Sequence, residues 1–239
     1  MNTIQSTRRF VAISLSALLM SIVLSVTQAY AETYVAGQFG VTLPSIGKGL
    51  TDNEVTGIGF IPGVTTTDQA LTSSVLYGAK LGHYFKAVPW LGIEAEVYNT
   101  TPHIKQQDIT FSGPAGPAGS LNFYGLDFRV LTLAPLNLTL RYHKTRLQPY
   151  IAVGPGIFFA RIKDPSLTSD NTQSSTDVGL NAQVGLRYYI TRHFTVFAEG
   201  KYNHVRFNFS ETPPGIFNLF GFDSTYNMFH VAFGLSYNF

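Results

Sequence analysis

Six ionisable residues occupy alternate positions of strand-like stretches: Lys80, Glu94, Glu96, Arg187, Glu199 and Lys201. Glu94 and Glu96 are two apart, as are Glu199 and Lys201, so each pair shares one face of an extended chain. Charges of both signs facing a narrow low-dielectric space pair with one another, because a lone charge there is costly. Paired, they form either a plug or a gated ion path. A space bounded by about eight strands is filled by side chains, which favours the plug. Nucleophilic catalysis finds less support. Two residues after His204 stands Arg206, and the nearest serine, Ser210, is six residues on. A nucleophile and its base must lie within ~3 Å, so no catalytic residue is assigned. Histidines at 83, 103, 143, 193, 204 and 230 lack ligand spacing, and the chain has no cysteine. No metal, cofactor, disulfide or thiolate chemistry is expected.

The elements that would carry those charges are strands. Beyond position 31 no stretch approaches the ~18 apolar residues of a spanning helix. Hydrophobicity instead alternates at period two, most plainly at the end of the chain. Phe229, Val231, Phe233, Leu235, Tyr237 and Phe239 alternate with His230, Ala232, Gly234, Ser236 and Asn238. Large apolar residues on one face suit lipid, and small or polar ones on the other suit a crowded wet lumen. The same pattern predicts strands over about 33–43, 75–85, 91–98, 136–142, 150–162, 178–188 and 196–203. Pro135 marks a bulge or a late start of the fourth strand. The connections alternate long (43–74, 100–124, 163–176, 208–225) and short (86–89, 143–148, 191–194). This predicts an all-β chain, an eight-stranded antiparallel up-and-down transmembrane β-barrel over 32–239, with short turns and both termini on the periplasmic side.

Composition agrees. Charged residues are only 13% of the 239, about half the soluble norm, while hydrophobic residues reach 45%. That excludes a disordered chain. Residues 1–31 read as a signal peptide. Arg8 and Arg9 precede an apolar run from Phe10 to Val26, and Ala29-Tyr30-Ala31 supplies a small-x-small cleavage site, with Glu32 as the mature N-terminus. Ser6 to Phe10 weakly matches a twin-arginine signal, but a chain that folds only in a bilayer suits ordinary unfolded export. Without Arg8 and Arg9 the 16 basic residues fall to 14 and balance the 14 acidic ones. No net basic field remains, so no nucleic-acid partner is expected.

Several segments together resemble a known family. They are Tyr34-Val35-Ala36-Gly37-Gln38-Phe39-Gly40, Leu91-Gly92-Ile93-Glu94-Ala95-Glu96, Pro149-Tyr150-Ile151-Ala152-Val153-Gly154, Phe197-Ala198-Glu199-Gly200-Lys201-Tyr202 and Gly234-Leu235-Ser236-Tyr237-Asn238-Phe239. The chain resembles the OmpA-like small outer-membrane β-barrel proteins of Gram-negative bacteria, over nearly its whole mature length. The resemblance implies a place in the outer membrane, and lipid and lipopolysaccharide as surroundings. It also implies that Phe239, with Phe233, Leu235 and Tyr237 on the same face, is an assembly signal read by the barrel assembly machinery. Some eight-stranded barrels are lipid A deacylases with His and Ser two residues apart on one strand, a spacing that His204 does not offer. The reading is therefore a monomeric barrel with a structural or surface-interaction role through its long loops. A narrow channel for small apolar molecules, of the OmpW type, is the alternative, and a lipid A-modifying enzyme stands third. A lumen blocked by paired charges favours the structural role; an open polar path or a lateral gap between strands favours transport.

The loops and one hairpin carry the remaining expectations. Gly113 to Gly119 reads as a flexible loop tip, and the apolar stretches 57–63 and 216–222 as loop segments able to touch lipopolysaccharide or a small apolar ligand. A turn centred on His193 sets Arg187 directly opposite Glu199, with Lys201 close enough to join. Lys80 with Glu94 or Glu96 makes a second network.

Overall fold

The computed structural model describes residues 32–47, 49–56, 63–114, 116–163, 172–210 and 221–239. The segment 1–31 read as a signal peptide, with Ala29 and Ala31, most of the 57–63 stretch and residues 216–220 lie outside them. In chain order the elements are β1 (Glu32–Leu43), a short helix α1 (Pro44–Gly47), β2 (Gly49–Thr56), β3 (Thr65–Thr66), β4 (Ser74–Phe85) and β5 (Val88–Thr100). Then come β6 (Gln107–Gly113), β7 (Gly116–Phe123), β8 (Asp127–Arg141), β9 (Leu147–Lys163), β10 (Thr172–Tyr189), β11 (Phe194–Phe209) and β12 (Gly221–Asn238).

Eight of these close into a ring, β1-β4-β5-β8-β9-β10-β11-β12, with β12 returning to β1. The closing seam is antiparallel and unbroken from Tyr34 opposite Asn238 to Leu43 opposite Phe229. Such closure is what a bilayer demands, since lipid cannot hydrogen-bond an open sheet edge. At the seam the strands lie close: a Cβ on Gly40 would fall 2.0 Å from the Val231 carbonyl oxygen. The outward face carries the large apolar side chains, among them Phe39, Val153, Val184 and Leu235. The fourth wall strand begins at Asp127, so Pro135 marks a bulge, where the β8–β9 register shifts between Leu133 and Leu138.

The long connections differ from the loops expected of them. They hold β2, β3, β6 and β7, and these extend the sheet outward from β12. β2 takes over the β12 edge from Gly221 to Asn227, where β1 has turned away through α1. Within the stretch read as a loose tip, Gly113 pairs with Gly116 at the end of the β6–β7 ladder. Single bridges at Leu50–Gln69, Leu71–Ile104 and Ile104–Leu126 carry the wall on from β2 to β8.

The wall strands are longer than a membrane needs. β9 to β12 run 16 to 18 residues against the ~9–11 that span lipid. The excess projects at the long-loop end, and there the polarity of the two faces inverts. On β9 the outward residues change from Val153, Ile157 and Phe159 to Arg161 and Lys163, while the inward ones change from Gln148 and Tyr150 to Phe158 and Ile162. β11 repeats it: outward Val196 and Tyr202 give way to His204 and Arg206, and inward Glu199, Lys201 and Asn203 give way to Val205, Phe207 and Phe209. β8 and β12 switch at the same level, from Leu131 to Arg129 and from Phe229 to Asn227. Below that level the solvent outside is lipid; above it the solvent is water, and the apolar face must turn inward. A lumen read throughout as small and polar therefore becomes an apolar core in its outer part. That core includes Leu50, Leu71, Ile104, Phe128, Phe158, Phe207 and Met228.

The inversion level is testable by arginine placement. Val184→Arg, in mid-band on the lipid face, is expected to lower folding free energy by about 2–4 kcal/mol. Asn208→Arg, outward above the switch, is expected to change it by less than about 1 kcal/mol. Urea-dependent folding into vesicles measures both; equal losses at the two sites would place the boundary elsewhere.

Candidate functional site

The lumen contains one buried layer of charge. Lys80 is 3.0 Å from Glu94, 3.6 Å from Glu96 and 2.8 Å from Glu199. Lys201 is 2.5 Å from Glu96 and 2.8 Å from Glu199. Gln183 lies between the two lysines: its side-chain oxygen accepts from Lys80 at 2.8 Å and from Lys201 at 2.9 Å, and its amide donates to Glu94 at 2.5 Å. Asn181 donates to Glu96 at 2.6 Å. All five charged side chains are excluded from solvent. β4 and β5 supply three of them and β11 the other two, from opposite walls. The two networks expected from separate hairpins are therefore one, joined across the lumen.

Arg187 stands apart from this layer, and its expected pairing with Glu199 is corrected. Across the β10–β11 hairpin Arg187 faces Phe197, and Glu199 faces Gly185. The turn is centred on position 192, not 193. Backbone N–H groups of Ile190 and Thr191 both donate to the Phe194 carbonyl, and the Thr191 hydroxyl accepts from the N–H groups of His193 and Phe194. This side-chain cap closes the loop one position early and slides the facing strand by two residues. An even slip leaves both side chains in the lumen.

Arg187 is held instead by tyrosines. Its guanidinium carbon sits 4.0 Å from the Tyr34 ring centre, 5.3 Å from Tyr150 and 5.6 Å from Tyr84. The Tyr34 hydroxyl donates to Glu94, and that of Tyr150 donates to Glu199 at 2.5 Å. Two lysines against three glutamates leave one negative charge over, and Arg187 balances it through the phenols. Glycines make the room: a Cβ on Gly82 would lie 2.3 Å from the Tyr34 ring, and one on Gly185 would lie 2.6 Å from that of Tyr150. Each of these glycines is the cross-strand partner of its tyrosine. Tyr34, Tyr84 and Tyr150 were missed from sequence, although each inward glycine opposite an aromatic was a usable signal.

Further layers close both ends. Toward the short turns, Arg141 pairs with Glu32 at 2.6 Å and donates to the Tyr189 hydroxyl at 2.9 Å. Toward the long loops, His230 hydrogen-bonds Thr42 at 3.0 Å and Asn203 at 3.1 Å. The apolar core lies above. His204 faces outward and bonds Asn227, while Arg206 pairs with Asp223 at 3.3 Å. Phe233, Leu235, Tyr237 and Phe239 stand on the outer face at the short-turn end of β12.

The description "Outer membrane protein beta-barrel domain" matches residues 14–239. The chain belongs to this family. OprG from Pseudomonas aeruginosa is similar in structure, with a TM-score of 0.56 and 15% identity, over 87% of this chain and 96% of that one. A major outer membrane protein from Thermus thermophilus gives 0.52 and 14%, over 88% and 100%. No curated protein matches. The barrel is an outer-membrane protein, and its short turns face the periplasm, as in such barrels generally.

The charge layer predicts strong coupling. Glu96→Met and Lys201→Met are each expected to cost about 3–5 kcal/mol, because each leaves a buried charge short of its partner. The double variant is expected to lose clearly less than the sum. Urea titration of folded protein in micelles measures the cycle; additive losses would mean that the pair does not interact.

Proposed function

We propose that this outer-membrane protein is a sealed, non-catalytic barrel that works at the cell surface, through the rigid sheet built by its long connections. The observation that carries the reading is the lumen filled by Lys80, Glu94, Glu96, Glu199 and Lys201 with almost no solvent exposure. A blocked lumen leaves the outer surface as the working part. β2, β3, β6 and β7 stand on strands that continue from the membrane, and this region presents Leu121 and Tyr124 to solvent. Interaction surfaces held by strands are more exactly positioned than those on free loops. Within this reading the protein is a monomer, and Phe239, at the end of the lipid-facing row, serves as the assembly signal.

One observation favours the second reading, passage of small apolar molecules. A cavity of about 100 Å3 at the extracellular end is lined by Val55, Ile104, Ile109, Phe111, Phe123 and Phe222 among others. It leads onto the apolar core, against which Phe222 packs. Two features oppose it. The charge layer lies across the axis below, and the β8–β9 wall is tight at its bulge, where a Cβ on Gly154 would meet the Leu136 carbonyl oxygen at 2.2 Å.

Refolded protein in a planar bilayer separates the readings. No stepwise conductance is expected. Discrete conductance steps from wild-type protein would overturn the sealed reading. Saturable entry of a short alkane into vesicles, without conductance, would select the second.

A further inference from the structure

Just above the apolar band, the outer face of β8 and β9 carries a concentration of positive charge. Arg129 and Arg161 are direct cross-strand partners, and Lys163 follows two residues on, opposite Asp127. Directly opposed side chains on one face have Cβ atoms about 4.5–5.5 Å apart, and like charges so placed destabilise a sheet. All three cations are exposed. Asp127 pairs with His103 at 3.1 Å rather than with any of the three cations. No other carboxylate among the described residues pairs with the three cations; Arg161 donates to the Thr172 hydroxyl, at 3.4 Å. On the far flank, by contrast, Arg206 at the corresponding level is matched by Asp223 and Glu54. The three cations border a pocket of about 280 Å3, whose lining also includes Thr101 and the His103–Asp127 pair.

Position decides the ligand class. The last apolar residues below the pocket are Leu131 and Phe159, each one outward-facing step from the arginine pair. Lipid head groups begin where the apolar band ends. Guanidinium pairs bind phosphate oxygens bidentately, and a phosphate between two arginines turns their repulsion into attraction. We propose that Arg129, Arg161 and Lys163 form a site for a phosphate of the outer-leaflet glycolipid, lipopolysaccharide. This partner belongs to the membrane rim and is independent of what the extracellular sheet contacts.

Folded protein in zwitterionic micelles, titrated with lipopolysaccharide and followed by native mass spectrometry, tests the site. Arg129→Gln with Arg161→Gln is expected to weaken binding at least about tenfold, the loss of two charged hydrogen-bond partners. Chemically dephosphorylated glycolipid is expected to bind wild type as weakly as the intact lipid binds the double variant. Arg192→Gln, at the periplasmic turn, is expected to leave binding unchanged. Without glycolipid, Arg129→Gln alone is expected to raise thermal stability, since it relieves the opposed charges. Heat-modifiable gel mobility verifies that each variant is folded. Undiminished binding by the double variant overturns the proposal, as does equal binding of the dephosphorylated lipid. An equal loss in Arg192→Gln would mean diffuse charge attraction, and protection by inorganic phosphate alone at the same concentration would mean a free-anion site; either also overturns it.

Discussion

Lipid offers no hydrogen bonds, and the rest of this structure follows from that. Every backbone N–H and C=O in the apolar band must find its partner in a neighbouring strand, so the first strand has to meet the last. The β1–β12 seam does this without interruption over ten residue pairs. Closure fixes a narrow interior, and a period-two backbone then sends every second side chain into it. Charges placed there cannot reach bulk water and must satisfy one another. The buried layer of two lysines and three glutamates is thus a consequence of the seam as much as of the residues themselves. The layer in turn resists slippage, because a slip of one residue on β4, β5 or β11 would carry a charge into lipid.

The same backbone serves two solvents. In the membrane the large apolar residues face out; a few residues further along each protruding strand they face in. No change of fold is needed, only a reversal of which alternate positions are apolar. The inward phase is unbroken from Lys201 through Asn203 to Val205 and Phe207. The reversal marks the membrane surface on the protein with a precision of about one residue pair, and the Arg129–Arg161 pair is the first outward position beyond it.

Much of this was legible in the sequence. The eight wall strands, their facing and the alternation of long and short connections follow from hydrophobic periodicity alone, since lipid on one side makes the signal strong. The lumen-facing position of Lys80, Glu94, Glu96, Arg187, Glu199 and Lys201 follows from the same count. What was not legible depends on tertiary distance. The Arg187 partner hinged on whether Thr191 caps its own turn, a local hydrogen bond that moves the register by two without disturbing the facing pattern. The merging of two hairpin networks depends on which walls face each other across the barrel, information that no single hairpin holds. The outer parts of β11 and β12 escaped notice because their apolar residues change phase: past Asn203 the run His204-Val205-Arg206-Phe207 alternates in the opposite sense to the run before it.

The tyrosine cage shows how such a lumen tolerates an odd charge. Five buried charges cannot sum to zero, and a sixth ion placed directly among them would have to share the same crowded volume. Arg187 sits one layer toward the periplasm, where ring faces attract its guanidinium. The hydroxyls of Tyr34 and Tyr150 point the other way and donate to Glu94 and Glu199. Each ring is therefore polarised in one sense, negative face toward the cation and O–H toward the anion, so the two layers act on each other through the phenols without direct contact. The arrangement needs flat rings lying across the lumen, and these need glycine opposite. Gly82 and Gly185 are therefore as much a part of the charge balance as Arg187 itself.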